Sequence, residues 1–289
     1  MHLNYLILAH GNFNQVNRLI NALITEQTFF FVHIDRAIPL NEVQDYDFFT
    51  HKQVKVLKKR ITVNWGGYNM VAATLSLMKA AIKENRKGYF VLLSGQDYPL
   101  VSNDVIINKL SKNYGYEYLS YWKLPYKNWT NGGNYRIDYY WFVDKIGLAE
   151  SKIMFNLQMD NDFKRNFFKD FIPYGGSQWW CLTYECICYI LKFVQYNPLY
   201  VEYFEHTLIP DEIFFNTIVL NSPFKGSVIN DNLKFLKFED GASHPKTFRK
   251  NDFKAIINSK KMWARKFNMT IDTSILDKID FNIRSGANS

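Results

Sequence analysis

Short apolar runs alternate with stretches of helical period over residues 5 to 110, and this alternation leaves the chain few architectures to fold into. Tyr5 to Ala9 is an apolar run that ends at His10-Gly11-Asn12. Val16, Leu19, Ile20 and Leu23 then follow at helical spacing, before the β-rich run Phe29 to Ile34, which closes on Asp35. Strand, helix, strand in that order opens a βαβ unit with a buried parallel sheet. Val54 to Leu57 reads as a third strand, and the loop Asn64-Trp65-Gly66-Gly67-Tyr68 leads into a helix over Met70 to Ile82. Tyr89 to Leu93 is a fourth, wholly apolar strand, followed by Ser94-Gly95-Gln96-Asp97-Tyr98-Pro99 and a short helix from Asp104 to Leu110. Open α/β sheets bind ligands beyond the carboxyl ends of their strands. His10, Asp35, Ser94 and Asp97 stand just past those ends and outline a nucleotide pocket.

The pattern loosens from Tyr114 to Phe171, where aromatic and charged residues mix, and an irregular acceptor-side region is expected there. A glycine-rich approach to a strand, Tyr174 to Trp180, precedes a helix over Tyr184 to Tyr196. Pro210-Asp211-Glu212 opens the next helix, Ile213 to Leu220, with residues suited to a first turn. After Asp240-Gly241 a basic segment leads to a helical stretch from Asn251 to Lys266, and the last twenty or so residues carry no motif. No repeat or linker stands out. The expectation is a single domain over 1–289, with a nucleotide-binding half near 1–110 and an acceptor and catalytic half near 111–270.

The net charge of +8 suggests an anionic ligand. Its basic residues form no continuous stripe of the kind nucleic-acid binders show, so a small polyanion fits better and no nucleic-acid partner is expected. With 24 Phe, 19 Tyr and 7 Trp, some rings should line a surface where flat apolar faces stack on sugar C–H groups. Codon bias toward Phe, Tyr, Asn, Lys and Ile is the competing account. Cys181, Cys186 and Cys188 cluster in an apolar stretch without zinc spacing, and read as small core fillers in a reducing compartment. No run reaches the roughly 18 apolar residues of a membrane span. A cytoplasmic protein is expected, with room for peripheral contact at the inner face of a membrane.

Sugar-nucleotide transferases of α/β type often hold a divalent ion with Asp-X-Asp after a central strand. Asp45-Tyr46-Asp47 and Asp160-Asn161-Asp162 both sit in polar loops, while the place after Tyr89–Leu93 holds a single carboxylate, Asp97. One carboxylate is a weak site for an oxygen-loving ion, so no metal and no cofactor is expected. Cations must then absorb the leaving-group charge. His244, Lys246, Arg249, Lys250, Arg265 and Lys266 can do so, since fixed cations stabilise developing charge much as a metal would; a solvated basic face is the alternative. Pro210-Asp211-Glu212 places two carboxylates at a helix start, either a candidate for a general base, against plain helix capping. No nucleophile-elbow string supports acyl-type chemistry.

In order along the chain, seven strings resemble the branching-enzyme family of glycosyltransferases, which includes the core-2 and I-branching β-1,6-N-acetylglucosaminyltransferases and the peptide O-xylosyltransferases. They are Leu8-Ala9-His10, Val32-His33-Ile34-Asp35, Val63-Asn64-Trp65-Gly66-Gly67-Tyr68, Leu93-Ser94-Gly95-Gln96-Asp97-Tyr98-Pro99-Leu100, Gly176-Ser177-Gln178-Trp179-Trp180, Pro210-Asp211-Glu212 and Ala264-Arg265-Lys266-Phe267. The resemblance implies a GT-A-type, Rossmann-like mixed sheet flanked by helices, a UDP-sugar donor, and inversion to a β-linkage on a glycan or lipid-linked glycan acceptor without metal. GlcNAc is the favoured sugar and xylose the other candidate. On this resemblance Glu212 is the catalytic base, Lys266 contacts the diphosphate and Asp35 helps hold the uridine. A second diphosphate cation falls, by ungapped count, on Ser243, so His244, Lys246 or Arg249 takes that role. Trp65, Gly66, Gly67, Ser177, Gln178 and Trp179 join the donor-binding set; Trp65, Trp179 and Trp180 would shape the sugar pocket, with core duty as the other reading of each. The anchor, stem and disulfides of animal members have no counterpart here, so a compact bacterial member is expected. A non-catalytic carbohydrate- or nucleotide-binding protein of the same fold is the alternative.

Overall fold

The computed structural model describes residues 1–239 and 244–286; Asp240, Gly241 and Ser243 lie outside the described residues. In chain order the elements are β1 (His2–Ala9), α1 (Phe13–Leu23), β2 (Thr28–Ile34), α2 (Asp47–Thr50), β3 (Val54–Val56), α3 (Asn69–Ile82), β4 (Gly88–Ser94), β5 (Asp97–Pro99) and α4 (Asn103–Lys112). Then come β6 (Glu117–Lys123), α5 (Val143–Ile146), α6 (Leu148–Asp160), β7 (Tyr174–Thr183), α7 (Tyr184–Tyr196), α8 (Pro198–Glu205) and α9 (Phe214–Leu220). The last are β8 (Val228–Ile229), β9 (Lys234–Leu236), α10 (Phe253–Asn258), β10 (Trp263–Arg265) and α11 (Ser274–Arg284). They fall into two compact units, one of residues 1–58, 85–115 and 233–289, the other of 59–84 and 116–232. The segment 59–84 therefore lies with the unit that holds most of the expected acceptor half, and the basic segment past 233 lies with the first strands.

The first unit is the α/β arrangement expected from the alternating pattern. Parallel strands run in the order β3-β2-β1-β4. Seven consecutive residues of β1, Leu3 to Ala9, are buried, as a strand covered on both faces must be. Each fully buried Leu or Ile there contributes about 1.5–3 kcal/mol. Helix α1 buries Phe13, Val16, Leu19, Ile20 and Leu23 along one stripe. A second, three-stranded sheet has the order β5-β10-β9. The helix expected over Asn251–Lys266 is thus corrected. It ends at Asn258 as α10, and Trp263–Arg265 is extended, because Trp263 pairs with Lys234 in parallel and with Pro99 in antiparallel register. The tail also forms α11, which buries Ile275, Leu276 and Ile279.

In the second unit β6 is antiparallel to β7 and parallel to β8. The stretch read as irregular therefore contains strand β6 and helix α6. Their period was masked because β6 buries only Glu117 to Leu119, and α6 only Ser151. Helix α7 matches its expected limits, with Thr183 accepting from the Cys186 backbone N–H at its start. All three cysteines carry free thiols, Cys181 and Cys186 within the core. Among the described residues no helix is long and apolar enough to cross a membrane.

Candidate functional site

Three strand ends in the first unit meet in register. Ala9 of β1 lies opposite Ile34 of β2, and Leu8 opposite Ser94 of β4. The ladder continues one step further, with the Asp35 N–H donating to Ala9 O (2.9 Å) and the Gly95 N–H to Leu8 O (3.0 Å). His10, Asp35 and the Ser94 loop are thereby set side by side at the carboxyl ends of the parallel strands. Asp35 also accepts from the Ala37 N–H at 2.8 Å, which fixes its carboxylate.

The second sheet delivers the cations. Arg265 stands opposite Asp97 in the β5–β10 pairing; its guanidinium donates to Ser94 Oγ and lies 3.7 Å from Asp97 Oδ1. Lys266 follows directly, and among the described residues it has no carboxylate partner. Burial and Arg265 lower the Lys266 pKa. Desolvation, then Arg265, lowers that of His10, with Asp35 opposing. The charges of Arg265, Asp35 and Lys266 thus all act on His10. Gln15, a residue the sequence did not single out, clamps this arrangement: its amide donates to Gly95 O (2.9 Å) and Phe267 O (3.1 Å) and accepts from the Met269 N–H (2.9 Å).

Asp97 is fully buried, although it was expected to touch the donor. Its carboxylate accepts from Lys234 Nζ (2.8 Å) and from the Ser94 N–H (2.6 Å), and Lys234 also donates to Leu92 O. Its chemistry is to hold Arg265 and the loop, not to face a ligand. Removing one partner of a buried ion pair strands a charge. Lys234→Met is therefore expected to cost about 3–5 kcal/mol in urea denaturation, with Asp97→Asn on the same chain recovering part of it. A loss below about 1 kcal/mol, the level of an exposed pair, would contradict this assignment.

The three candidates for the second cation separate by partner. Lys246 is ion-paired with Asp252 at 2.8 Å, which raises its pKa. Its carbonyl accepts from the Lys266 N–H (3.4 Å), so its backbone lies beside Lys266. Arg249 is exposed; its N–H donates to Asp252 Oδ2 (2.9 Å), and among the described residues its guanidinium has no ion-pair partner. His244 is exposed at the edge of the described segment. Charge divides unevenly as well. The first unit carries 21 basic and 13 acidic residues, and the second 14 of each, so the whole net charge of +8 resides in the first.

Within the second unit, Glu212 ends a 3-10 turn, Pro210–Glu212, which stands ahead of α9 in place of that helix's first turn. Ile209 enters the turn with φ of 48° and donates to Gly66 O at 2.9 Å. The paired glycines are explained by this crossing: Gly66 has φ of +84°, and a Cβ on Gly67 would sit 2.3 Å from Asp144 Oδ1. Asp144 in turn accepts from the Asn69 N–H and Asn64 Nδ2. Both glycines are buried, while Trp65 is 52% exposed. Asn216 links the turn to β7 by donating to Glu212 O (3.2 Å) and Ser177 O (3.4 Å). Ser177 Oγ accepts from Asn232 and the Trp179 N–H, and Trp179 and Trp180 are core residues.

Glu212 is held by Arg136, whose Nη1 donates to Oε2 at 2.7 Å. Arg136 Cζ sits over the Trp129 ring, 3.9 Å from its centroid, and Trp129 meets Trp122 edge-on at 5.2 Å. Two rings of the aromatic stretch between 114 and 171, Trp129 and Tyr135, thus flank one guanidinium. Burial raises the Glu212 pKa and Arg136 opposes it; burial and the Glu212 charge also raise that of Asp211. The Glu212 side chain remains one-third exposed, at 34%. The buried Arg136 Nε and Gln178 Nε2 have no hydrogen-bond partner among the described residues.

The first unit thus carries a cation cluster at its strand ends, and the second an arginine-held carboxylate on a tight turn. A family model for the Core-2/I-Branching enzyme matches residues 3–262, and the chain belongs to that family of glycosyltransferases. Xylosyltransferase 2 of Mus musculus is 26% identical over 303 aligned residues, covering 96% of this chain and 33% of its own. Xylosyltransferase 1 of Canis lupus familiaris is 23% identical, with 96% and 30% covered. The chain spans about a third of the length of the curated relatives it matches. Among solved structures, that of S. aureus TarS 1-349 in complex with UDP-GlcNAc overlaps 57% of this chain and 49% of its own, with 12% identity and a TM-score of 0.32. That overlap is too slight to bear on mechanism.

Proposed function

We propose that this chain is an inverting, metal-independent glycosyltransferase that moves a sugar from a UDP-sugar to a hydroxyl of a glycan or glycoconjugate. The observation that carries the reading is the cation cluster at the strand ends, Arg265 and Lys266 beside His10 and Asp35. The donor set argues for protein cations, because the lone carboxylate after β4 is fully buried, with Oδ2 held by Lys234 and Ser94 and Oδ1 3.7 Å from the Arg265 guanidinium. Lys266 and one residue of the 244–249 segment hold the diphosphate, and Asp35 holds the uridine. Glu212 removes the acceptor hydroxyl proton as the oxygen bonds to the anomeric carbon; the bond from that carbon to the phosphate oxygen breaks, and UDP leaves with the electron pair. Trp65 offers a ring face to the sugar.

The donor sugar is GlcNAc on the resemblance to the branching N-acetylglucosaminyltransferases or xylose on the names of the relatives, so UDP-GlcNAc and UDP-xylose are the pair to assay. UDP release in the presence of a glycoside acceptor tests the reading; neither donor giving release above buffer would favour a non-catalytic binding protein. Arg136 supplies a sharper check. Without it, burial acts unopposed on Glu212, so Arg136→Gln is expected to shift the acid limb of kcat/KM to higher pH. Activity lost at neutral pH should then partly return in alkaline buffer. A loss equal at every pH would contradict the pairing.

A further inference from the structure

A cavity of about 320 Å³ opens on the second unit between the segments 139–168 and 199–206, lined by Tyr140, Phe163, Asn166, Leu199, Glu202 and His206. That is the lower end of the size range of small-ligand pockets, roughly 300–1,000 Å³. It is large enough for one or two sugar rings. Its wall is a platform of rings: Tyr140 stacks on Phe163 (5.9 Å between centroids, 28°) and on Phe142 (6.2 Å, 12°), and His206 meets Tyr140 edge-on at 5.6 Å. Tyr140 and Phe163 are 37% and 47% exposed.

This platform is rigidly built. Gln158 accepts from the Tyr140 N–H (2.8 Å) and donates to Tyr140 O (2.9 Å), so the backbone under the ring is held on both sides. Arg165 is buried behind it, 4.7 Å from the Tyr140 centroid and 3.6 Å from that of Tyr203. It donates to the carbonyls of Tyr139, Tyr203 and His206, tying both walls together. Tyr140 and Phe163 leave more than a third of their surface to solvent on an immobilised backbone. They present a flat apolar face beside Asn166, Lys164 and Glu202, whose charges cancel. Pyranose rings have this complementary form, one face of C–H groups and an edge of hydroxyls.

The platform is also continuous with the residues around Glu212. Arg136 precedes Tyr140 by four residues, a span of at most about 14 Å, and His206 precedes Glu212 by six. The two segments are tied by Leu208 N–H to Arg136 O (3.1 Å) and Trp141 N–H to His206 O (3.0 Å). We propose that this cavity is a carbohydrate subsite for a sugar ring of the acceptor, distinct from the ring whose hydroxyl reacts. Only the assignment to the acceptor rests on the function proposed above.

Saturation-transfer NMR on the full chain, with UDP present and millimolar methyl β-D-galactopyranoside or methyl N-acetyl-β-D-glucosaminide as probe, reads binding without turnover. At least one glycoside should show transfer to its ring C–H protons. Binding should weaken by about five- to ten-fold in Phe163→Ala, the loss of one stacking face, and fall also in Asn166→Ala, whose exposed side chain is dispensable for folding. It should persist in Glu212→Gln. No transfer to either glycoside, equal transfer in both cavity variants, or a change of oligomeric state in Phe163→Ala in place of lost binding would overturn the proposal. A Glu212→Gln enzyme that still turned over would unseat the base while leaving this subsite standing.

Discussion

A Glu212→Gln chain is expected to lose about 10²–10⁴-fold in kcat, the usual contribution of a general base, while binding UDP as the unaltered protein does. The amide keeps the shape of the carboxylate and can still accept from Arg136 Nη1, now 2.7 Å from Oε2, so the turn should stay intact. What it lacks is basicity. The raised Glu212 pKa sharpens the expectation: the wild-type rate should decline on acidification through a pKa above the ordinary glutamate range, because only the ionised form takes a proton. Initial rates of UDP release across pH check both points. Normal turnover in Glu212→Gln would remove this residue from the mechanism and leave the buried Asp211 as a poor substitute, with only 8% of its surface exposed.

Lys266→Ala is the second substitution with a large expected effect. Lys266 combines three properties in one side chain: partial burial, a neighbouring Arg265 that adds to the field, and no carboxylate among the described residues to neutralise it. Its charge is therefore available to a departing diphosphate. Loss of one preorganised group aimed at developing charge costs about 10²–10³-fold in kcat, and that range is expected here, with manganese failing to restore it. Lys246→Ala should matter less, because Asp252 already pairs with that ammonium. Steady-state rates for both variants, with and without manganese, provide the comparison; equal, small losses would return the segment to a solvated basic face.

Much of the first unit could be read directly. Apolar runs of β1, β2 and β4 are buried on both faces, so each strand shows as an uninterrupted string and its end as the first polar residue. His10, Asp35 and Ser94 were legible for that reason. Long-range pairings were not. Nothing local marks Trp263–Arg265 as a strand, since its partners are Lys234–Leu236 and Asp97–Pro99; a Lys-rich stretch with scattered apolar residues looks helical until the neighbouring strands supply hydrogen bonds. The same holds for ion pairs. Lys234 lies 137 residues from Asp97, and Arg136 lies 76 residues from Glu212, so Asp97 looked like a ligand-facing acid and Arg136 drew no notice. Gly66 and Gly67 stood out as a motif, but their reason, the close approach of Asp144 and the left-handed φ beneath Ile209, is visible only once the chain crosses itself.

Calorimetric titration of UDP into the wild-type chain and into Lys266→Ala, each in EDTA and again in manganese, addresses the source of the neutralising charge most directly. If side-chain cations supply it, wild-type affinity is the same in both buffers and the variant binds more weakly in both. Wild-type binding that needs manganese, with Lys266→Ala indistinguishable from it, would contradict the account.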